Sequence, residues 1–216
     1  MTIAIFDCDG TLVDGQASIC GAMDKAFASA KLPLPDKHQV RRMVGLSLPQ
    51  AVQRLVPDSD ADTIQRVVES YKQAFRSARE AGELQQPLFD GIADVVTGLH
   101  RAGWQLGVAT GMSRRGLDHV LASHGLTKYF STLQTADDHP SKPDPAMLQA
   151  ALYELAGEAE HAVMIGDTAY DIQMARDAGA RAVGVDWGYH HPDELRAAGA
   201  EFVATSPAEL GEYLLR

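Results

Sequence analysis

Apolar and polar positions along this chain follow two alternating periods. Four short apolar runs each lead into a polar cluster: Ile3–Phe6 before Asp7, 106–109 before Thr110, 163–165 before Asp167, and 182–185 before Asp186. Runs of this length, bounded by turn residues, predict buried strands. A weaker strand is expected over 131–135, and another around Phe202 and Val203. Between them the period changes to 3.6. Ile92, Val95, Val96 and Leu99 form one helical stripe. Leu117, Val120 and Leu121 form a second, and Met147, Leu148, Ala151, Leu152 and Leu155 a third. Buried strands alternating with amphipathic helices predict an α/β fold, a Rossmann-like parallel sheet with helices on both faces.

Residues 15–88 break the alternation. Ile19, Ala22, Met23, Ala26, Phe27 and Ala30 make one stripe, and Ile64, Val67, Val68, Tyr71, Ala74, Phe75 and Ala78 a longer one. No strand pattern intervenes, and Leu32-Pro33-Leu34-Pro35 and Val56-Pro57-Asp58 read as breaks between helices. The chain therefore divides into an α/β core, 1–14 and 89–216, and an inserted all-helical domain, 15–88, placed after the first strand.

Composition narrows the choices of partner. At 216 residues and 45% hydrophobic, the chain is long enough for one α/β domain and a smaller one. Its net charge of −10 repels nucleic acid and anionic membranes, so neither is an expected partner, and solubility is the simpler use of that charge. The first residues lack the basic segment and long apolar run of a signal peptide, and no stretch approaches a membrane span. Cys8 and Cys20 have no zinc-type spacing; they could form one disulfide, but reduced thiols in a cytoplasmic protein are expected. Oligomeric state is not legible here.

The unusual residues stand at strand ends, where ligands bind in open α/β sheets. The first strand runs into Asp7-Cys8-Asp9-Gly10-Thr11. Two residues apart in extended chain, Asp7 and Asp9 share a face, and Cys8 points the other way as a packing residue. Asp167 and Asp171 bring the carboxylates to four. A hard cation with oxygen ligands accounts for such a group, and Mg²⁺ suits a site that also takes phosphate. Mg²⁺ and the ammonium of Lys142 reduce four negative charges to one, and a proton on Asp9 removes the last, so that a phosphate dianion can approach. Singly, each residue has a plainer reading: helix cap or turn for the aspartates, dipole partner for Asp171, turn for Thr110, surface for Lys142. Their order behind apolar strands argues against those readings together.

In that order they resemble the four motifs of the haloacid dehalogenase superfamily. Asp7-Cys8-Asp9-Gly10-Thr11-Leu12-Val13-Asp14 is similar to its first motif, and Val108-Ala109-Thr110-Gly111 to its second. Ser141-Lys142-Pro143-Asp144-Pro145 is similar to the third, and Gly166-Asp167-Thr168-Ala169-Tyr170-Asp171 to the fourth. The stretches from Met174 to Ala180 and from Val183 to Gly188 resemble the phosphoglycolate phosphatase-like group, whose C1 cap matches the helical insertion.

The resemblance implies a phosphatase. Asp7 would attack phosphorus and form an aspartyl-phosphate, and Asp9 would protonate the leaving alcohol and then deprotonate water. Thr110 and the Gly111 N–H would bind a phosphoryl oxygen, Lys142 would bridge Asp7 and phosphate, and N–H groups around Gly10 and Thr11 would reach phosphate. Asp7, the Asp9 carbonyl and Asp167 would hold Mg²⁺, with Asp171 binding directly or through water. The substrate class is a small phosphorylated metabolite, phosphoglycolate-like first.

Where the family usually carries Asn, this chain has Gly111, which either leaves room or removes a contact. Asp9 disfavours dehalogenation, because halide leaves without a proton. A β-phosphoglucomutase would carry two basic residues in its cap loop, where this chain has Val44-Gly45-Leu46-Ser47-Leu48. Pyrophosphatase, nucleotidase and a non-enzymatic phosphate-binding module are the remaining alternatives. Arg41 or Arg42 could meet a substrate carboxylate or face solvent, and the same choice holds for Arg114 and Arg115. Leu46 and Leu48 could cover substrate or pack the cap. Trp187 is expected to pack, and His190-His191 to lie in a loop.

Overall fold

The computed structural model describes residues 2–216. Six strands form one parallel sheet: β1 (Ile3–Phe6), β2 (Gln105–Thr110), β3 (Phe130–Thr135), β4 (Ala162–Gly166), β5 (Arg181–Val185) and β6 (Phe202–Ala204). Their spatial order is β3-β2-β1-β4-β5-β6, so the strands leading to Asp7 and Asp167 are neighbours at the centre, as their residues imply. Each expected strand is present, with its ends moved by one residue or less on either side.

Alternation along β1 serves both faces of the sheet. Ala4 and Phe6, continued by Cys8, pack with α5 (Ile92–Arg101), α6 (Arg114–Ser123) and α10 (Pro207–Leu214). Ile3 and Ile5 pack on the opposite face with α7 (Ala146–Glu154), α8 (Ala169–Asp177) and Leu195 of α9 (Pro192–Ala198). Side chains buried this completely each contribute on the order of 1.5–3 kcal/mol. Cys8 therefore takes the packing role expected of it, and both cysteines are free thiols. Trp187 packs on the same cluster, and its indole N–H donates to the Thr11 carbonyl at 3.2 Å.

Between β1 and α5 lie four helices: α1 (Gln16–Ser29), α2 (Lys37–Arg42), α3 (Leu48–Leu55) and α4 (Ala61–Glu80). They share a third apolar cluster of their own, including Ile19, Met23, Phe27, Val52, Val67 and Val68. Two aspartates start helices here: Asp36 accepts from Gln39 N–H, and Asp60 from Thr63 N–H. The chain leaves and re-enters the core side by side. Asp14 N–H donates to the Pro87 carbonyl at 2.8 Å, and Phe89 N–H to that of Leu12 at 3.1 Å. Among the described residues no helix is long and apolar enough to cross a membrane.

Candidate active site

Asp7, Thr110 and Asp167 stand at or just past the ends of three adjacent strands because β1, β2 and β4 run parallel. Lys142 enters from the segment between β3 and α7. Asp7, Lys142, Asp167 and Asp171 have no solvent exposure, and Asp9 almost none. The ammonium of Lys142 sits 2.9 Å from Asp7 Oδ1 and 2.5 Å from Asp171 Oδ1. Burial alone would lower the Lys142 pKa, but Asp171 and Asp7 outweigh it and raise the value.

The carboxylates differ in what engages them. Asp167 accepts from the Thr11 hydroxyl and from the Tyr189 N–H, each at 2.9 Å. Asp171 is the third residue of α8 and closes a capping box with Thr168. Its Oδ2 accepts the Thr168 hydroxyl at 2.7 Å while Oδ1 holds Lys142, so both of its oxygens are engaged. Asp7 Oδ1 has only the Lys142 ammonium beside it, Asp7 Oδ2 accepts no hydrogen bond, and neither does Asp9 Oδ1. Unsatisfied buried carboxylate oxygens are unfavourable without a cation.

Burial pushes the Asp7 carboxyl up to about 6, against the pull of Lys142 and with a further push from Asp171. Burial, then the charge of Asp7, pushes Asp9 up to about 7. Asp167 rises well above the ordinary carboxylate range through burial and the charges of Asp7 and Asp171. The site carries more negative charge than one lysine balances. Oxygens of Asp7, Asp167 and Asp171 lie within 4.8 Å of one another, close enough to share a metal ion. The residues present therefore fit a divalent cation.

A family model described as haloacid dehalogenase-like hydrolase matches residues 4–185, most of the chain and all four motifs. The chain belongs to this family. This haloacid dehalogenase-like hydrolase is 34% identical over 213 residues to "Probable phosphatase IndB" of Dickeya dadantii, covering 96% of this chain and 91% of that one. It is 30% identical over 215 residues to the phosphoglycolate phosphatase of Vibrio cholerae, covering 97% and 95%. The crystal structure of a "predicted phosphatase" from Clostridium acetobutylicum superposes with a TM-score of 0.89 at 25% identity, covering 99% and 98%.

Two expectations need revision in this hydrolase. The N–H groups of Gly10 and Thr11 do not point out to phosphate. Gly10 N–H donates to the Val13 carbonyl at 2.8 Å, and Thr11 N–H to that of Cys8 at 3.2 Å. The tight turn of the first motif consumes them, and Gly10 has φ +85°. Thr11 contributes instead through its hydroxyl on Asp167. Arg41 and Arg42, candidates for a substrate carboxylate, are engaged elsewhere. Arg41 donates to Gln16 Oε1 at 3.2 Å. Arg42 pairs with both oxygens of Glu194, each at 2.8 Å. Arg114 is a surface residue paired with Asp118, one helical turn on.

Gly111 leaves room for backbone. A Cβ at this position would lie 2.5 Å from the Leu46 carbonyl oxygen and 2.7 Å from that of Gly45. The loop joining α2 and α3 rests directly on the second motif. Nearby, Ser47 N–H donates to Ser141 Oγ at 2.8 Å, and Arg54 donates to the Tyr170 hydroxyl at 2.9 Å. Gly111→Asn is expected to lift this loop. Overpacking of this kind costs about 1–3 kcal/mol, a fall in Tm of roughly 2–12 °C for a chain of this size. Thermal unfolding together with hydrogen exchange at the Ser47 amide checks this. An unchanged Tm and unchanged protection would refute the contact.

Several contributors were not legible beforehand. Tyr189 acts through its backbone N–H, which no side-chain motif reports. His190 lies in a loop, as expected, but is buried, 4% exposed. Its Nδ1 accepts from Ala169 N–H at 3.2 Å, so Nε2 carries the proton toward the Arg42 carbonyl at 3.1 Å. Thr110, 1% exposed, lines a cavity of about 540 Å³ that also reaches Asp7 and Asp9. Leu46, buried, and Leu48, half-buried, line the same cavity, and Leu48 also packs against the apolar cluster of the inserted helices.

Proposed function

We propose that this hydrolase cleaves a phosphomonoester with Mg²⁺, forming an aspartyl-phosphate on Asp7. The observation that supports it most directly is Asp7 itself: a buried carboxylate, one oxygen beside the Lys142 ammonium and the other without a hydrogen bond, facing a cavity. Other members of the family carry phosphatase names, as does the Clostridium acetobutylicum structure at 25% identity.

One oxygen of Asp7 forms the new bond to phosphorus as the phosphorus–oxygen bond to the alcohol breaks. Asp9, with a pKa near 7, holds a proton in a useful fraction of molecules at neutral pH and gives it to the leaving oxygen. The same carboxylate then takes a proton from the water that splits the aspartyl-phosphate, returning Asp7 free. Lys142 balances charge on Asp7 and on the phosphoryl oxygens, and Thr110 orients one of those oxygens. Asp171 fixes Lys142 from the far side. Asp7, Asp167 and the Asp9 carbonyl would hold Mg²⁺, with Asp171 joining directly or through water, and the ion would neutralise charge on the phosphoryl group.

The helices of 15–88 form a cap over this site. Arg42–Glu194, Arg54–Tyr170 and Ser47–Ser141 join these helices to the core. Closure excludes water during attack, and opening admits it for hydrolysis. The substrate is a phosphorylated metabolite, and phosphoglycolate is the first to test. Hydrolysis of p-nitrophenyl phosphate is expected with Mg²⁺, to fall to background in EDTA, and to return when Mg²⁺ is restored. Turnover that EDTA leaves unchanged would remove the metal from the mechanism.

A further inference from the structure

The cavity is larger, and its two ends more opposed in charge, than a two-carbon phosphate requires. At about 540 Å³ it falls within the range of pockets that hold drug-sized ligands. Acids line one end, Asp7 and Asp9. Arginines line the other, Arg76 and Arg79 from α4 and Arg115 from α6. Apolar side chains connect them, among them Met23, Leu46, Tyr71 and Phe75.

The arginines lack acidic partners, and Arg76 and Arg115 are exposed. Arg79 is half-buried; its Nε is shut off from solvent and donates to nothing. The like charges of Arg115 and Arg76 bear on it, and burial, with those charges, lowers its pKa. Arg76 makes one long hydrogen bond, 3.5 Å, to Gln73. No ion pair joins any of the three to an acid among the described residues. Of the acids close by, Glu80 only partly offsets the repulsion, and Asp137 is exposed and caps the start of α6 through the Arg114 N–H at 2.8 Å. A buried guanidinium N–H without an acceptor, crowded by like charges, is unfavourable until an anion arrives.

Helical spacing sets the distance. Tyr71, Phe75 and Arg79 are four residues apart on one face of α4. The Tyr71 phenol lies near enough to Asp9 to feel its charge. Arg79 is two turns further on, about 12 Å along the helix axis. The rings of Tyr71 and Phe75, 5.1 Å apart, form the wall between.

We infer that the substrate is an elongated phosphomonoester with a largely apolar body and a second anionic group, carboxylate or phosphate, held at the far end of the cavity by Arg79 with Arg76 and Arg115. This rests on the phosphatase reading and adds length and a distal charge to the substrate. Phosphoglycolate is too short to engage both ends.

The test compares probes of one length: hexyl phosphate, 6-phosphooxyhexanoate and hexane-1,6-diyl bisphosphate. For the wild type, kcat/KM is expected to favour the carboxylate or the bisphosphate over hexyl phosphate by about 10- to 100-fold, the worth of charge-assisted hydrogen bonds to a guanidinium. Which of the two is preferred identifies the distal anion. Arg79→Met is expected to reduce that ratio toward one, and Arg79→Lys to retain part of it. A wild-type ratio near one, a ratio that Arg79→Met does not move, or a stronger preference for phosphoglycolate over the six-carbon acid would overturn the inference. Calorimetric binding of the same probes to Asp7→Asn protein, with and without Arg79→Met, reads the same ratio without turnover. If the wild type hydrolyses no phosphomonoester, the phosphatase reading fails while the binding ratio still decides this one.

Discussion

Asp7→Asn is expected to eliminate hydrolysis of p-nitrophenyl phosphate, by about 10⁴-fold or more, the scale on which loss of a nucleophile acts. The amide has almost the same shape as the carboxylate, but its nitrogen does not attack phosphorus and its oxygen carries no charge. The protein should not lose stability. Asp7 has a folded-state pKa near 6 against an ordinary 3.8. A raised carboxyl pKa favours folding at low pH, and that contribution disappears as pH rises through about 6. At pH 7.5 without metal, the ionised carboxylate therefore works against the fold, and a neutral amide relieves it. Thermal unfolding in EDTA should place the variant at or above the wild-type Tm. A Tm far below wild type would turn lost activity into a folding defect, and activity at the wild-type level would remove Asp7 as nucleophile.

Lys142→Met should affect both activity and stability. Its ammonium is fully buried between Asp7 and Asp171, at 2.9 and 2.5 Å. Methionine fills similar volume but leaves two buried carboxylates facing each other. Removing one partner from a buried charge cluster costs about 3–5 kcal/mol, a Tm fall of roughly 6–20 °C for a chain of this length. Turnover should fall by at least about 10²–10³-fold, as when one charge-stabilising donor is removed. Acid distinguishes this cause from poor packing. As pH falls toward 5, the stranded Asp7 carboxyl, already raised to about 6 beside Lys142, takes up a proton, and the gap in Tm between variant and wild type should narrow. A gap that is independent of pH would point to packing instead of charge.

How far the site could be read in advance depended on the type of residue involved. Asp7, Asp9, Thr110, Lys142 and Asp167 stand in short motifs beside apolar runs, so their chemistry and their strand-end position are both local properties. A parallel sheet then brings them together with no further information. Arg42, Arg79 and Gly111 are different. Arg42 and Arg41 adjoin each other on one short helix; one pairs across to Glu194 in the core and the other with Gln16. Their spacing gives no indication of which does which. Gly111 stands in sequence as a position without a side chain, and its reason is a loop more than sixty positions earlier in the chain whose carbonyls occupy that space.

From its sequence alone, this chain is determined to be an α/β protein with a helical insertion after the first strand and a cluster of carboxylates with one lysine at the strand ends. Hydrophobic period and motif order are written residue by residue, and both survive any rearrangement of the helices. Only the tertiary structure decided that the Lys142 ammonium sits between Asp7 and Asp171, that Arg42 pairs with Glu194, and that the carbonyls of Gly45 and Leu46 fill the space beside Gly111. Each of these is a contact between residues far apart in the chain, made within about 4 Å, the range over which hydrogen bonds and close packing act. The packing of helices on the sheet, and no local pattern, sets those distances.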